Sequence, residues 1–134
     1  MGGNEQAVGG VAWLDLTVPD AESLRDFYAG VTGWTPSAVA MEGYDDYTLN
    51  DASGEAVAGV CHARGPNADL PPVWIPYFRV EDIERAAAAC VELGGELLRP
   101  LSEPSDYGRT CFIRDPAGVV AALFQPGPSY IPGT

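Results

Sequence analysis

The chain has 134 residues, 46% of them hydrophobic, enough for one compact domain with a real core. Seven basic against nineteen acidic residues leave a formal charge of −12, with no lysine at all, so nucleic acid is not an expected partner: phosphate contacts need clustered Lys and Arg. No apolar run approaches the roughly 20 residues that span a bilayer, and Cys61, Cys90 and Cys111 are odd in number and widely spaced, which suits reduced thiols in a cytoplasmic protein better than a disulfide frame or a zinc site.

Residues 1–10 show no basic, apolar or cleavage region of a secretory signal and read as a tail. Val11 to Val18 alternates as a half-buried strand does. Asp20 then offers an N-cap, Glu22 sits near the positive end of the helix dipole, and Leu24, Phe27, Tyr28 and Val31 form an apolar stripe that Gly33 ends. Three short strands are expected near Ser37–Met41, Tyr44–Asn50 and Ala56–His62, the last two joined by the turn NDASGE. Residues 63–72, ARGPNADLPP, read as an exposed connector. Ile75 to Val80 alternates again. Asp82 caps a second helix lined by Ile83, Ala86, Ala87, Cys90, Val91 and Leu93, and Gly94-Gly95 ends it. Strands near Glu96–Leu101, Arg109–Arg114 and Val119–Gln125 come next, the last two joined by RDPAG, and residues 127–134 form a second tail.

The two stretches carry one rhythm. An offset of 62 places Trp13 on Ile75, Val18 on Val80, Asp20 on Asp82 and Gly33 on Gly95. An offset of 64 then places Asp51 on Asp115, Gly54 on Gly118 and Ala58 on Ala122. The expected domain spans 11–126, with a βαβββ module at 11–62 and another at 73–126, each too small to bury a core alone.

Two βαβββ modules with DLTVPD…FY…GW, VED…GG and RDPAG resemble the vicinal oxygen chelate superfamily, the group of glyoxalase I, extradiol dioxygenases and the fosfomycin- and bleomycin-resistance proteins. The resemblance covers roughly Gly10 to Pro126. It implies an α+β fold in which two βαβββ modules form a curved mixed-sheet cleft with helices on the outer face. It also implies one divalent metal, held by His or Gln on the first strand of each module and Glu on the last. At those positions this sequence has Trp13, Ile75, Ala58 and Ala122, and none carries a donor. A shift of one residue gives Ala12, Leu14, Trp74, Pro76, Val57, Gly59, Ala121 or Leu123, which are no better. No metal or other cofactor is therefore expected.

Strand alternation assigns faces. Leu14, Leu16 and Val18 belong under the helix, so Trp13, Asp15 and Thr17 face the cleft. Ile75, Tyr77 and Arg79 face it from the second module. Ala56, Ala58, Val60 and His62 share a face, as do Val120, Ala122 and Phe124. The expected ligand-binding residues are Trp13, Asp15, Tyr47, Ala58, His62, Trp74, Ile75, Tyr77, Arg79, Tyr107, Arg109, Ala122 and Phe124, with Asp15 and His62 the candidates for acid–base work. Each has a plainer reading: Asp15 as the ion-pair partner of Arg79, His62 as a solvated strand end, Trp13 and Trp74 as packing.

The favoured function is metal-free binding of a cationic or aromatic small molecule, a natural product or drug, like the bleomycin-resistance branch, by a homodimer away from membranes. The alternative is a metal-independent acid–base enzyme of isomerase, cyclase or lyase type. A glyoxalase- or dioxygenase-like metalloenzyme with unusual ligands ranks last.

Overall fold

The computed structural model describes residues 7–130. Its elements run β1 (Val11–Val18), α1 (Ala21–Thr32), β2 (Thr35–Ala40), β3 (Asp45–Asn50), β4 (Ala56–His62), a 3-10 turn (Gly65–Asn67), β5 (Trp74–Arg79), α2 (Ile83–Glu92), β6 (Glu96–Leu97), β7 (Gly108–Arg114) and β8 (Val120–Pro126). Both βαβββ runs are present, and the α+β class is the one observed. The described residues divide into two compact units, Trp13–Trp74 and residues 75–130 together with residues 7–12. No helix among the described residues is long and apolar enough to cross a membrane.

In the first unit the strand order is β2-β3-β4-β1, with β1 parallel to β4 and the other pairs antiparallel. Helix α1 starts where Asp20 accepts hydrogen bonds from the Ser23 backbone N–H at 3.1 Å and the Ser23 hydroxyl at 2.7 Å. It stops at Gly33, whose φ of 81° is the left-handed conformation that glycine adopts without penalty. The helix covers one face of the sheet. Leu16, Val18, Ala21, Tyr47, Leu49, Ala58 and Val60 are buried there, with Leu14, Leu24, Tyr28, Trp34 and Trp74 packed around them. The buried stripe is narrower than the spacing predicts: Leu24 and Tyr28 pack inward, but Phe27 and Val31 are exposed.

In the second unit the order is β6-β7-β8-β5, with β5 parallel to β8. Gly9 and Gly10 join it by backbone hydrogen bonds with Arg79, each 2.8 Å. Asp82 caps α2 by accepting the Arg85 N–H, and Ile83, Ala87, Cys111 and Leu123 are buried beneath the helix. Val91 and Leu93, expected on the buried stripe, are exposed. Strand β6 is two residues long instead of running to Leu101. Beyond it Leu98 N–H to the Phe112 carbonyl and Ser102 N–H to the Thr110 carbonyl continue toward β7, with Thr110 N–H returned to the Ser102 hydroxyl, around Pro100, which has no N–H to give.

The turns joining the last two strands of each unit have one chemistry. Asp51 Oδ1 accepts the N–H groups of Ser53 and Glu55, and Asp115 Oδ1 accepts those of Ala117 and Val119. The strand pairs on either side of these turns differ. Pairing of β7 with β8 is regular from Gly108↔Pro126 to Arg114↔Val120. Pairing of β3 with β4 slips, because Asn50 faces Ala56 whereas Leu49 faces Ala58, leaving Val57 as an extra residue. This is a β-bulge, and it reverses which face every later residue of β4 occupies.

Candidate functional site

The bulge corrects part of the expected site. Ala58 and Val60 lie under α1, fully buried, opposite Leu49 and Tyr47. His62, level with Val18 in the parallel register, lies with them on the helix side. Tyr47 is there as well, 8% exposed, its hydroxyl donating to Glu22 Oε2 at 3.1 Å and its ring under the Arg25 guanidinium. Ala58, His62 and Tyr47 therefore do not share a face with Trp13 and Asp15. Trp74 packs edge to face on Tyr28 and Trp34, with centroids 5.0 and 6.1 Å away.

The face of the first unit away from its helix carries Trp13, Asp15 and Thr17 from β1. From β4 it carries Gly59 and Cys61, paired with Asp15 and Thr17. The Trp13 indole N–H donates to Asp15 Oδ1 at 2.8 Å. That carboxylate lies on the backbone of Gly59: a Cβ there would collide with Asp15 Oδ1 and press on Trp13 Nε1. With Asp15 held in this position by Trp13, glycine is the residue that fits. Burial, helped by the negative charges of Asp15 and Asp46, pushes the Cys61 thiol far above its usual range, so it stays protonated.

In the second unit the matching face carries Ile75, Tyr77 and Arg79 from β5, Ala122 and Phe124 from β8, and Phe112 from β7, as the register Tyr77↔Ala122↔Phe112 requires. Neighbouring strands are about 4.8 Å apart, so β5 and β7, on either side of β8, are about 9.6 Å apart. The Tyr77 and Phe112 ring centroids are only 5.8 Å apart. Both rings lean over Ala122, which is fully buried, as is Ile75. Arg109 is on the other face: its guanidinium donates to Glu84 of α2 at 3.1 Å and to the Ser102 carbonyl. Tyr107, just before β7, is exposed.

The parallel registers set Asp15 beside Gly59 and Tyr77 beside Ala122. Gly59, not Ala58, is thus the residue that matches Ala122. Neither Trp13 and Gly59 in the first unit nor Ile75 and Ala122 in the second has a side chain that can bind a metal, and the Asp15 carboxylate beside the first pair is a single donor engaged with the Trp13 indole. The space over Gly59 is taken by Asp15, and that over Ala122 by two rings. Among the described residues no group of three or more His, Cys, Asp or Glu side chains could hold a metal ion. The superfamily's metal does not fit these residues.

The family model described as Glyoxalase/Bleomycin resistance protein/Dioxygenase superfamily matches residues 10–123. The chain belongs to this superfamily. Within the glyoxalase superfamily it is 32% identical over 133 residues to the anthracycline biosynthesis protein DnrV of Streptomyces peucetius, covering 90% of this chain and 48% of that protein. It is 32% identical over 123 residues to the putative glyoxylase CFP32 of Mycobacterium tuberculosis, covering 84% and 44%. The chain thus spans about half the length of the curated relatives it matches. A solved methylmalonyl-CoA epimerase from Mycobacterium tuberculosis superposes with a TM-score of 0.58 at 16% identity, covering 95% of each chain. A trihydroxybiphenyl dioxygenase from Sphingomonas wittichii does so with 0.55 at 22%, covering 88% of this chain and 42% of its own. At such identities these likenesses establish the shared glyoxalase-superfamily fold alone.

Sequence reasoning missed Gly59 and Phe112. The run Ala56–Cys61 is uniformly small and apolar, so it gives no period-2 contrast from which a face could be read. Phe112 had a legible signal, since it pairs in regular register with Ala122 and so belongs to the face of Tyr77.

Proposed function

We propose that this chain is a metal-free small-molecule-binding protein of the glyoxalase superfamily, taking a cationic or aromatic natural product or drug. The observation that carries the reading is the Trp13–Asp15 pair laid over Gly59. It puts a carboxylate and an indole together where family enzymes need a metal-ligand side chain. An indole face attracts a cation, worth about 0.5–2 kcal/mol, and the carboxylate supplies a charge partner for it. Tyr77, backed by the buried Phe112, and Phe124, packed on Tyr130, give the second unit an aromatic face for flat rings, with Arg79 beside them and Arg99 over Phe112. Support comes from relatives named for anthracycline biosynthesis, since an anthracycline is a flat fused-ring aromatic. The acidic balance of the chain favours capture of cations. We place the protein in the cytoplasm as a homodimer, in which two chains supply about the length of one curated relative.

Asp15 also supports a second reading, a metal-independent acid–base enzyme in which this carboxylate moves a proton. One experiment separates the two. Calorimetric titration with an anthracycline bearing an amine should show binding without turnover, and Asp15→Asn should weaken it about tenfold, or 1.4 kcal/mol. Conversion of the ligand that Asp15→Asn abolishes while binding persists establishes the enzyme. Failure of aromatic amines and neutral anthracyclines alike to bind removes the binding proposal.

A further inference from the structure

His62 sits at the end of β4, on the helix side of the first unit, away from Asp15. Its side chain is 12% exposed. Both ring nitrogens face carboxylates: Nδ1 is 3.2 Å from Asp46 Oδ1 on β3, and Nε2 is 3.2 and 3.1 Å from the two oxygens of Glu22 in the first turn of α1. The His62 backbone N–H also donates to Asp46 Oδ1, at 2.9 Å. Tyr44 and Tyr47 flank the ring, with centroids 5.4 and 6.4 Å away, and Arg64 and Arg25 lie over those two rings.

A neutral imidazole has one N–H, so it can satisfy only one of these carboxylates and turns a lone pair toward the other. An imidazolium donates to both. We propose that His62 is a proton-operated fastener: protonated, it ties the start of α1 to the ends of β3 and β4, and on losing its proton it releases one of the two. The groups facing it are Asp20 and Glu22 with Arg25 behind Tyr47 from α1, Asp46 and Tyr47 from β3, Tyr44 before it, Cys61 on its own strand and Arg64 after it. The carboxylates dominate this set. Partial burial pulls the His62 pKa down, but the hydrogen bonds and charges of Asp46 and Glu22 outweigh it and leave the pKa above the ordinary value. A group with a raised folded pKa contributes stability in full below its unfolded value and loses it as pH rises through the folded one.

The chain has one histidine, so its imidazole proton resonances need no assignment. An NMR titration of the intact protein should give a midpoint above the ordinary value of about 6.5. Glu22→Gln should lower that midpoint, and the stability advantage of the wild type over His62→Gln should shrink as pH rises through it. A wild-type midpoint at or below the ordinary value, a midpoint unmoved by Glu22→Gln, or an advantage constant with pH would each overturn the proposal. The wild-type titration decides the matter even where a variant fails to fold.

Discussion

Gly59 has no positive φ to explain it; its reason is the carboxylate of Asp15 lying where a side chain would start. Gly59→Ala should therefore cost about 1–3 kcal/mol, the usual penalty of overpacking. The same substitution should cost far less when combined with Asp15→Ala, because the obstacle is gone. Urea denaturation of the four proteins of this cycle measures the coupling, and strict additivity would show that Asp15 is not what excludes a Cβ. The thiols give a second prediction at this scale. Burial raises the pKa of Cys61 and of Cys111. Native protein treated with iodoacetamide near pH 8 should leave both sites at least tenfold less labelled than unfolded protein, by peptide mass spectrometry. Labelling of either at the rate of a free thiol refutes the burial argument for that residue.

The elements fall into two groups, those that local chemistry defines and those that pairing defines. Both helix starts and the Gly33 stop are legible in the sequence because a cap is a short-range event: Asp20 meets Ser23, and Asp82 meets Arg85. Asp20→Ala and Asp82→Ala should each lose about 1 kcal/mol, and a thermal melt in which neither moves Tm would deny the caps a role. The turns are legible for the same reason. The face of Ala58 and His62 is not, since it depends on Ala58 pairing with Leu49 and Val60 with Tyr47, contacts between strands that no local signal announces. Asp15 and Trp13 can be placed together because β1 alternates without interruption, whereas the neighbour that accommodates them, Gly59, lies beyond the bulge. The helix stripes are half legible: Phe27, Val31, Val91 and Leu93 have the right spacing, yet each helix buries a narrower face against its own sheet.

For the molecule as a whole, pH works from two sides. Hydrogen bonds hold the carboxyls of Asp20, Glu22, Asp26 and Asp51 below their ordinary pKa values, from Ser23 for Asp20, its own backbone N–H and then His62 for Glu22, Arg25 for Asp26, and Ser53 for Asp51. Depressed carboxyl pKa values add stability above about pH 4 that is lost as pH falls, while His62 adds stability that is lost as pH rises. The urea midpoint should peak between roughly pH 5 and 6.5; a midpoint that climbs steadily to pH 8 contradicts this. Above the peak the charge of −12 adds self-repulsion. The arginine pairs Arg25–Asp26, Arg109–Glu84 and Arg114–Glu96 are surface contacts that add little net stability. Added NaCl at pH 8 should thus raise the midpoint, since screening relieves more repulsion than it removes attraction.

The extra residue in β4 has an evolutionary consequence. Deleting the codon for Val57 would restore regular pairing with β3 and leave every later residue on its present face, because Ala56 would still oppose Asn50 and Ala58 would still oppose Leu49. The bulge is therefore a place where relatives of this protein could gain or lose one residue while the side chains on both faces of β4, and the rest of the chain, stay where they are.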